Sequence, residues 1–247
     1  MRRFLLRSFL TLAIFAGPAF GQDPVAFHPG IGEGVPAEGG RDVLWSQPGL
    51  LGGDKVSSEI IDMFGLVSEV AGDFLLDCDG PVTITTVTWW GGQWGWLIGD
   101  PVCTEFNLIL YEEDPDPDTC LPVVEPFALY LNVTPQQTDL GGDPDHYETN
   151  FRYDMPLEIG LSGGVRYWIV AQAADHPFPG QWGRTEAVDR QGCVSYFRSP
   201  YFGPEEWPPT EDAIGSPYTD ASVELSGYCG GVAIRRSTWG AIRGLYR

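Results

Sequence analysis

The sequence lacks long apolar runs and is poor in basic residues. No segment reaches the roughly 20 consecutive apolar residues that a membrane-spanning helix needs. Lys and Arg together number 14 of 247 residues, against 34 Asp and Glu, which gives a formal net charge of −20. Because such a protein repels polyanions, its charge excludes nucleic acids and anionic membrane surfaces as partners. Neutral and cationic ligands remain compatible with it.

The motifs of common catalytic sites are also missing. There is no Gly-x-Ser-x-Gly, no His-Glu-x-x-His and no phosphate-binding loop. The three histidines, His28, His146 and His176, are scattered in Gly-, Pro- and Asp-rich stretches, so a metal site would require the fold to gather them. We therefore assign no catalytic residue and favour a non-enzymatic binding protein. A carbohydrate-active enzyme and a purely structural surface protein are the alternatives.

The N-terminus has the three parts of a secretory signal. Basic residues come first, followed by a short apolar run at 8–16 and a small-x-small cleavage site at 19–21. We expect residues 1–21 to be a signal peptide and residues 22–40 to be an extended Gly/Pro-rich lead-in. The mature protein is then expected in the periplasm, at the cell surface or outside the cell.

Five cysteines follow, and an oxidising compartment favours disulfides between them. No two are spaced as Cys-x-x-Cys, which argues against a zinc or thioredoxin-like site. Cys103 and Cys120 bracket one strand and one acidic loop, so we predict a disulfide between them, worth about 3 kcal/mol in the chain-entropy model. Cys229 is then left to pair with either Cys78 or Cys193.

Short runs of β-branched and aromatic residues recur along residues 41–229, with Gly, Pro and Asp clusters between them. A helical repeat of apolar residues over three turns is absent from this part of the chain. The pattern predicts an all-β fold, a two-sheet antiparallel β-sandwich forming a single domain. The predicted strands are residues 41–45, 57–64, 67–76, 82–90, 106–111, 126–133, 147–153, 157–161, 165–173, 194–198 and 221–225.

Four segments resemble a group of exported proteins of environmental bacteria. They are the lead-in at 27–32, the sandwich opening at 70–74, the returning strand at 161–169 and the terminus at 237–247. The resemblance implies a jelly-roll-like or galactose-binding-like sandwich, and such folds often bind carbohydrate. It brings no catalytic residues with it.

An acidic loop has the oxygen-donor spacing of a calcium site. Asp114, Asp116, Asp118 and Glu125 occupy positions 1, 3, 5 and 12 of such a loop. Position 6 is Thr119, where the sharp turn of a calcium loop requires Gly, and the flanking residues are predicted strands. Ca²⁺ is therefore a candidate cofactor, and the alternative is an acidic hairpin stiffened by its two prolines.

Tryptophans in Gly-rich stretches are the candidate ligand-binding residues. Because successive strand residues face opposite sides, Trp89 and Trp90 cannot both enter one core. Exposed indoles with polar neighbours suit sugars, which have apolar C–H faces and hydroxyl edges. We predict Trp90, Trp94, Trp96 and Trp182 as stacking residues, with a neutral glycan or a cell-surface component as partner. The alternative is that these rings plug the ends of the sandwich.

The C-terminal tail, residues 230–247, differs from the body in charge. Residues 22–224 carry all 34 acidic residues and seven of the basic ones, whereas the tail carries four arginines and no acid. Trp239, Ile242 and Tyr246 lie at i, i+3 and i+7, which predicts a short amphipathic helix. We expect a sorting or docking component to bind this tail. The alternatives are a frayed end and a plug against the acidic body.

Overall fold

The computed structural model describes residues 42–61, 65–94, 102–116, 118–143, 148–174, 180–199, 206–215, 217–218 and 220–230. The predicted signal peptide and lead-in lie outside these residues, as do the three histidines and the tail beyond Gly230. The described part of the chain is almost entirely β-structure, with one short helix. None of its helices is long and apolar enough to cross a membrane.

The strands, in chain order, are β1 (Asp42–Gln47), β2 (Lys55–Ser57), β3 (Ile60–Ile61), β4 (Leu66–Val67), β5 (Glu69–Leu75), β6 (Pro81–Trp94), β7 (Phe106–Glu112), β8 (Ala128–Val133), β9 (Gln136–Asp143), β10 (Glu148–Ser162), β11 (Arg166–Ala173), β12 (Gln181–Thr185), β13 (Tyr196–Arg198) and β14 (Val223–Cys229). The helix α1 (Thr210–Ile214) precedes β14.

These strands form two main antiparallel sheets packed face to face. The seven-stranded sheet has the order β1-β14-β6-β10-β9, and β12 pairs with both β6 and β2. The five-stranded sheet has the order β13-β5-β11-β7-β8, and β3 and β4 form a separate pair. From β5 to β7 and again from β10 to β14, consecutive strands alternate between the two sheets, as in a jelly roll. The predicted all-β sandwich is confirmed.

Aromatic rings fill the space between the sheets. Trp89 stacks on Tyr153, with ring centroids 5.5 Å apart. Phe106 approaches Trp182 edge-on at 5.0 Å. The indole N–H of Trp182 donates a hydrogen bond to the Tyr153 hydroxyl at 3.0 Å. Buried aromatics of this size dominate the stability of a core, which explains the high aromatic content of the sequence.

The outer face of the five-stranded sheet is also covered. Trp168 and Tyr111 lie on that face and pack with residues of the connecting segments, including Trp207, Leu121 and Val194. The sheet is thus buried on both sides. This explains why β7 and β11 are near-continuous apolar runs without alternation.

Two disulfides fix the ends of the sandwich and this covering layer. Cys78 pairs with Cys229, with Cα atoms 5.7 Å apart, and Cys120 pairs with Cys193 at 6.2 Å. The first pair is one of the two alternatives that the sequence left open for Cys229. Two disulfides are characteristic of an oxidising, extracellular-type environment.

The predicted Cys103–Cys120 disulfide is wrong. Cys103 packs in the core between the sheets, whereas Cys120 packs in the covering layer on the opposite side of the five-stranded sheet. The Cys103 thiol instead lies 3.3 Å from the carbonyl oxygen of Glu105. Closeness in the sequence favoured this pair, but the sheet separates the two side chains.

Candidate functional site

The outer face of the seven-stranded sheet carries two of the predicted stacking residues. The inward residues of β6 include Trp89, which pairs with Val223 and Tyr153 in the core. Trp90 therefore points outward, and Trp94, four residues along the same strand, does so too. Both indoles are half-buried. At 3.3–3.4 Å per residue, their Cα atoms are about 13 Å apart along the strand.

The chain at Gly49 passes close beside Trp90. A Cβ at Gly49 would lie 2.6 Å from Cβ and Cγ of Trp90, so a larger residue does not fit. Arg152, the cross-strand partner of Trp90 on β10, places its guanidinium 5.8 Å from the indole centroid. Trp90 thus lies between a backbone segment and a cation, and its side chain is half-buried.

Trp94 lies against a second glycine. Its indole N–H donates a hydrogen bond to the side-chain oxygen of Gln181 at 3.1 Å. A Cβ at Gly183 would come within 2.6 Å of the six-membered ring of Trp94. Because Gln181 and Gly183 both lie on the outward side of β12, they hold this indole flat along the sheet surface.

A row of polar side chains crosses the same face beside Trp90. The row runs through Ser46, Glu224, Thr88, Asp154 and Gln136, on five neighbouring strands. Ser46 donates a hydrogen bond to Glu224 at 3.0 Å, and Thr88 donates one to Asp154 at 2.7 Å. The row offers carboxylate acceptors next to an aromatic ring.

Two ion pairs hold this face together. Arg152 donates two hydrogen bonds to one oxygen of Asp154, at 2.9 and 3.1 Å. Lys55 reaches from β2 to Glu148 on β10 and pairs with its carboxylate, crossing the side-chain-free position at Gly92. The Lys55 side chain is only 4% exposed, so its ion pair links β2 to β10 and leaves little of the ammonium group for a ligand.

These outward residues form a surface that we call the platform. Its members are the half-buried Trp90, Trp94, Arg152, Asp154 and Glu224, together with Thr88, which is only 3% exposed and lies between the two carboxylates. Apolar indole surface beside a few fixed polar groups is the composition expected of a small-molecule or saccharide site. The indoles suit the C–H faces of a sugar, and the carboxylates and guanidinium suit its hydroxyl edges.

Of the other predicted stacking residues, Trp182 is placed differently. It is fully buried between the sheets and donates its indole N–H to Tyr153. Trp182 therefore presents no ring to a ligand, and the prediction is corrected for this residue. Trp96 lies outside the described residues.

Within the described ranges, no three of the four carboxylates predicted for the calcium loop converge within 4.8 Å of one another. Asp114 accepts the backbone N–H of Asp116 at 2.9 Å, and Asp116 accepts that of Asp118 at 3.0 Å. Asp116, Asp118 and Glu125 are exposed. The side chains of Asp114 and Asp116 therefore accept hydrogen bonds from backbone N–H groups of their own loop, as expected for the acidic-hairpin alternative.

A different group of metal-ligand types does converge. Among the described residues, the ligand atoms of Glu113, Cys120 and Cys193 lie within 4.8 Å of one another. The two sulfurs are joined in a disulfide, which removes them as thiolate ligands. Glu113 pairs instead with Arg166 at 3.2 Å. The disulfide and the ion pair therefore account for the closeness of these three side chains.

Several platform residues were missed by sequence reasoning. Thr88 could have been predicted from the sequence, because the two-residue period of a strand that places Trp90 outward also places Thr88 outward. Arg152, Asp154 and Glu224 reach the platform only through the pairing of β10 and β14 with β6. Their positions depend on long-range register, which no local pattern specifies.

Comparison with known proteins adds no assignment. No protein-family model matches the chain, and no curated protein or solved structure is significantly similar to it. Because fold alone does not determine function, the platform is the feature of the molecule that points to a function.

Proposed function

We propose that the protein is an exported, non-catalytic module that binds carbohydrate through the platform. The observation that carries this proposal is the pair of half-buried indoles, Trp90 and Trp94, on one face of one strand. Each ring is held in place by a glycine contact, so little side-chain entropy would be lost when a ligand binds. The spacing of about 13 Å suits an extended chain of several sugar units.

The polar groups of the platform support the same ligand class. Asp154 and Glu224 accept hydrogen bonds, and Arg152 donates them. A sugar with hydroxyls around its ring can engage both kinds of group at once. The acidic net charge opposes polyanionic ligands but leaves neutral polysaccharides unaffected.

Export is part of the proposal and rests on two observations. The N-terminal 21 residues have the composition of a signal peptide. The two disulfides require an oxidising compartment to persist. A binding module in that compartment would meet extracellular or cell-wall polysaccharides.

Binding to a panel of neutral oligosaccharides and insoluble polysaccharides tests the proposal. We expect Trp90→Ala and Trp94→Ala each to weaken binding at least tenfold, which corresponds to about 1.4 kcal/mol. Phe127→Ala is the matched control, because Phe127 is an exposed aromatic that directly precedes β8 of the other sheet. Retention of full affinity in both tryptophan variants would contradict the platform as the site. A blank panel would favour a purely structural role.

A carbohydrate-active enzyme is the second candidate. Asp154 and Glu224 flank Thr88 on adjacent strands, so their Cα atoms are about 10 Å apart. Glycosidases use two carboxylates on either side of the scissile bond. Release of reducing ends from a bound glycan, abolished by Glu224→Gln, would assign the protein to this class.

A further inference from the structure

We propose that the sugar bound at the platform carries protonated amino groups, as a partly or fully deacetylated hexosamine polymer does. This inference rests on the proposed carbohydrate-binding function and specifies its substrate class. The inference comes from the charged side chains of the platform, in which negative charge exceeds positive charge.

Among the described residues, the two basic side chains placed on this face, Arg152 and Lys55, each have a carboxylate partner. Arg152 is bound to Asp154, and Lys55 is paired with Glu148. These two pairs bring no net charge to the surface. A ligand therefore meets them as hydrogen-bonding groups and not as isolated ions.

Glu224 is different. In the described part of the chain no basic side chain pairs with it, and its hydrogen-bond partner is the neutral hydroxyl of Ser46 at 3.0 Å. A carboxylate offers about four acceptor sites, and Ser46 occupies one of them. Glu224 is half-buried, so part of its carboxylate faces solvent with an uncompensated negative charge.

The register of β14 against β6 places the negative charge of Glu224 near the indole of Trp90. Glu224 pairs with Thr88, and Trp90 is the next outward residue along β6. Diagonal neighbours of this kind on a sheet face have Cα atoms about 7–8 Å apart. A sugar ring on Trp90 would therefore bring a ring substituent within reach of the carboxylate. A neutral hydroxyl would form a hydrogen bond there, whereas an ammonium group would form a stronger, charge-assisted one.

The charge of the whole body acts in the same direction. Residues 22–224 hold all 34 acidic residues and seven basic ones. Such a field concentrates cations near the surface and raises their association rate. A polycationic glycan is thus attracted at long range by the body and at short range by Glu224.

Three oligosaccharides of equal length and linkage test this inference, built from glucose, N-acetylglucosamine and glucosamine. At about pH 5.5, where the sugar amines are protonated, we expect the glucosamine oligomer to bind about three- to tenfold more tightly than the other two. The advantage should disappear in about 0.5 M salt. It should also disappear in Glu224→Gln, in which the three oligomers should bind with similar affinities.

Two further variants separate the local charge from the global one. Glu224→Asp keeps the carboxylate and should retain a preference for glucosamine. Glu125→Gln removes an exposed acid elsewhere and should leave the preference intact. Thermal unfolding of each variant verifies that it is folded.

The outcomes distinguish the two proposals. Equal binding of all three oligomers, abolished by Trp90→Ala, would overturn the amino-sugar inference and leave the carbohydrate-binding proposal standing. A preference that survives in Glu224→Gln would also overturn the inference, because Glu224 would not be its source. If none of the three oligomers binds but another glycan of the panel does, the amino-sugar inference fails and the carbohydrate-binding proposal stands, whereas a blank panel overturns both.

Discussion

Two buried carboxylates stand out among the individual residues. Burial raises the pKa of Glu59 from 4.5 to about 7, although Ser57 and the backbone N–H of Trp182 donate hydrogen bonds to it. Burial likewise raises the pKa of Asp220 from 3.8 to about 6, against hydrogen bonds from Gln47 and its own neighbour. Both groups are therefore harder to ionise in the folded protein than in the unfolded chain.

We expect this to make the protein more stable in mild acid. Because the folded pKa values exceed the unfolded ones, ionisation costs stability above pH 7, and the cost disappears as pH falls towards 4.5. One pKa unit corresponds to about 1.4 kcal/mol, so Glu59 alone accounts for up to about 3 kcal/mol. Urea unfolding between pH 8 and pH 5 measures the effect. Glu59→Gln should flatten the profile and Glu125→Gln should not, whereas a maximum near pH 8 in the native protein would contradict the assignment.

Residues 92–95 and residues 180–183 both form the tetrad Gly-Gln-Trp-Gly, and together they show what residue patterns could and could not predict. The Gln and Trp residues of both tetrads lie on the paired strands β6 and β12, where Gln181 lies opposite Trp94 and Trp182 lies opposite Gln93. This offset turns Trp94 outward and Trp182 into the core. The sequence of each tetrad is the same, so the difference arises from cross-strand register, which only the folded sheet specifies.

At the scale of elements, strands with alternating or continuous apolar residues were predictable, and polar ones were not. β7 and β11 were located within one residue at each end, because β-branched and aromatic residues fill them. β9 was missed, since Gln-Gln-Thr-Asp-Leu-Gly-Gly-Asp is polar and lies at the edge of its sheet. β10 was predicted as two strands around Pro156, and the structure carries it through with a bulge after that residue.

The β12 segment was missed for another reason. Its Gly-rich sequence predicted a loop, yet it forms a strand between β2 and β6. Arg184 explains why it is held there. Its fully buried guanidinium donates hydrogen bonds to the carbonyls of Val70 and Ile169 on the opposite sheet and of Ser222 beside β14.

The disulfides give a prediction about these elements. Cys78 and Cys229 are 151 residues apart, so the chain-entropy model assigns about 5 kcal/mol to their bond. We expect the double variant Cys78→Ser/Cys229→Ser to lose several kcal/mol of unfolding free energy. Denaturant unfolding in the absence of reductant measures this loss.

Cys103→Ala is the control for this experiment. Cys103 belongs to neither disulfide, so its variant should keep both bonds. Peptide mass mapping without reduction should recover Cys78 linked to Cys229 and Cys120 linked to Cys193. Recovery of a Cys103–Cys120 peptide from the native protein would contradict the structure.

For the whole molecule, the dominant property is its negative charge. With 34 acidic and 14 basic residues, the folded protein repels itself more strongly than the expanded chain does. We expect the thermal midpoint to rise as ionic strength increases from about 0.02 to 0.3 M, because salt screens this repulsion. Sodium chloride with EDTA present is the appropriate salt, since any bound Ca²⁺ would obscure the effect. A midpoint that falls with salt would indicate that specific ion pairs outweigh the net charge.

The two outer faces of the sandwich differ, and this difference bears on how the protein can be altered. The five-stranded sheet is covered, and substitutions there disturb a packed layer. The platform residues point away from the core, and their inward neighbours on the same strands, such as Trp89 and Tyr153, carry the packing. Positions 90, 94, 152, 154 and 224, whose side chains are half-buried on the outer face, can therefore be varied with less effect on the core than their inward neighbours. The sandwich thus provides a disulfide-stabilised scaffold on which libraries of new binding surfaces can be displayed.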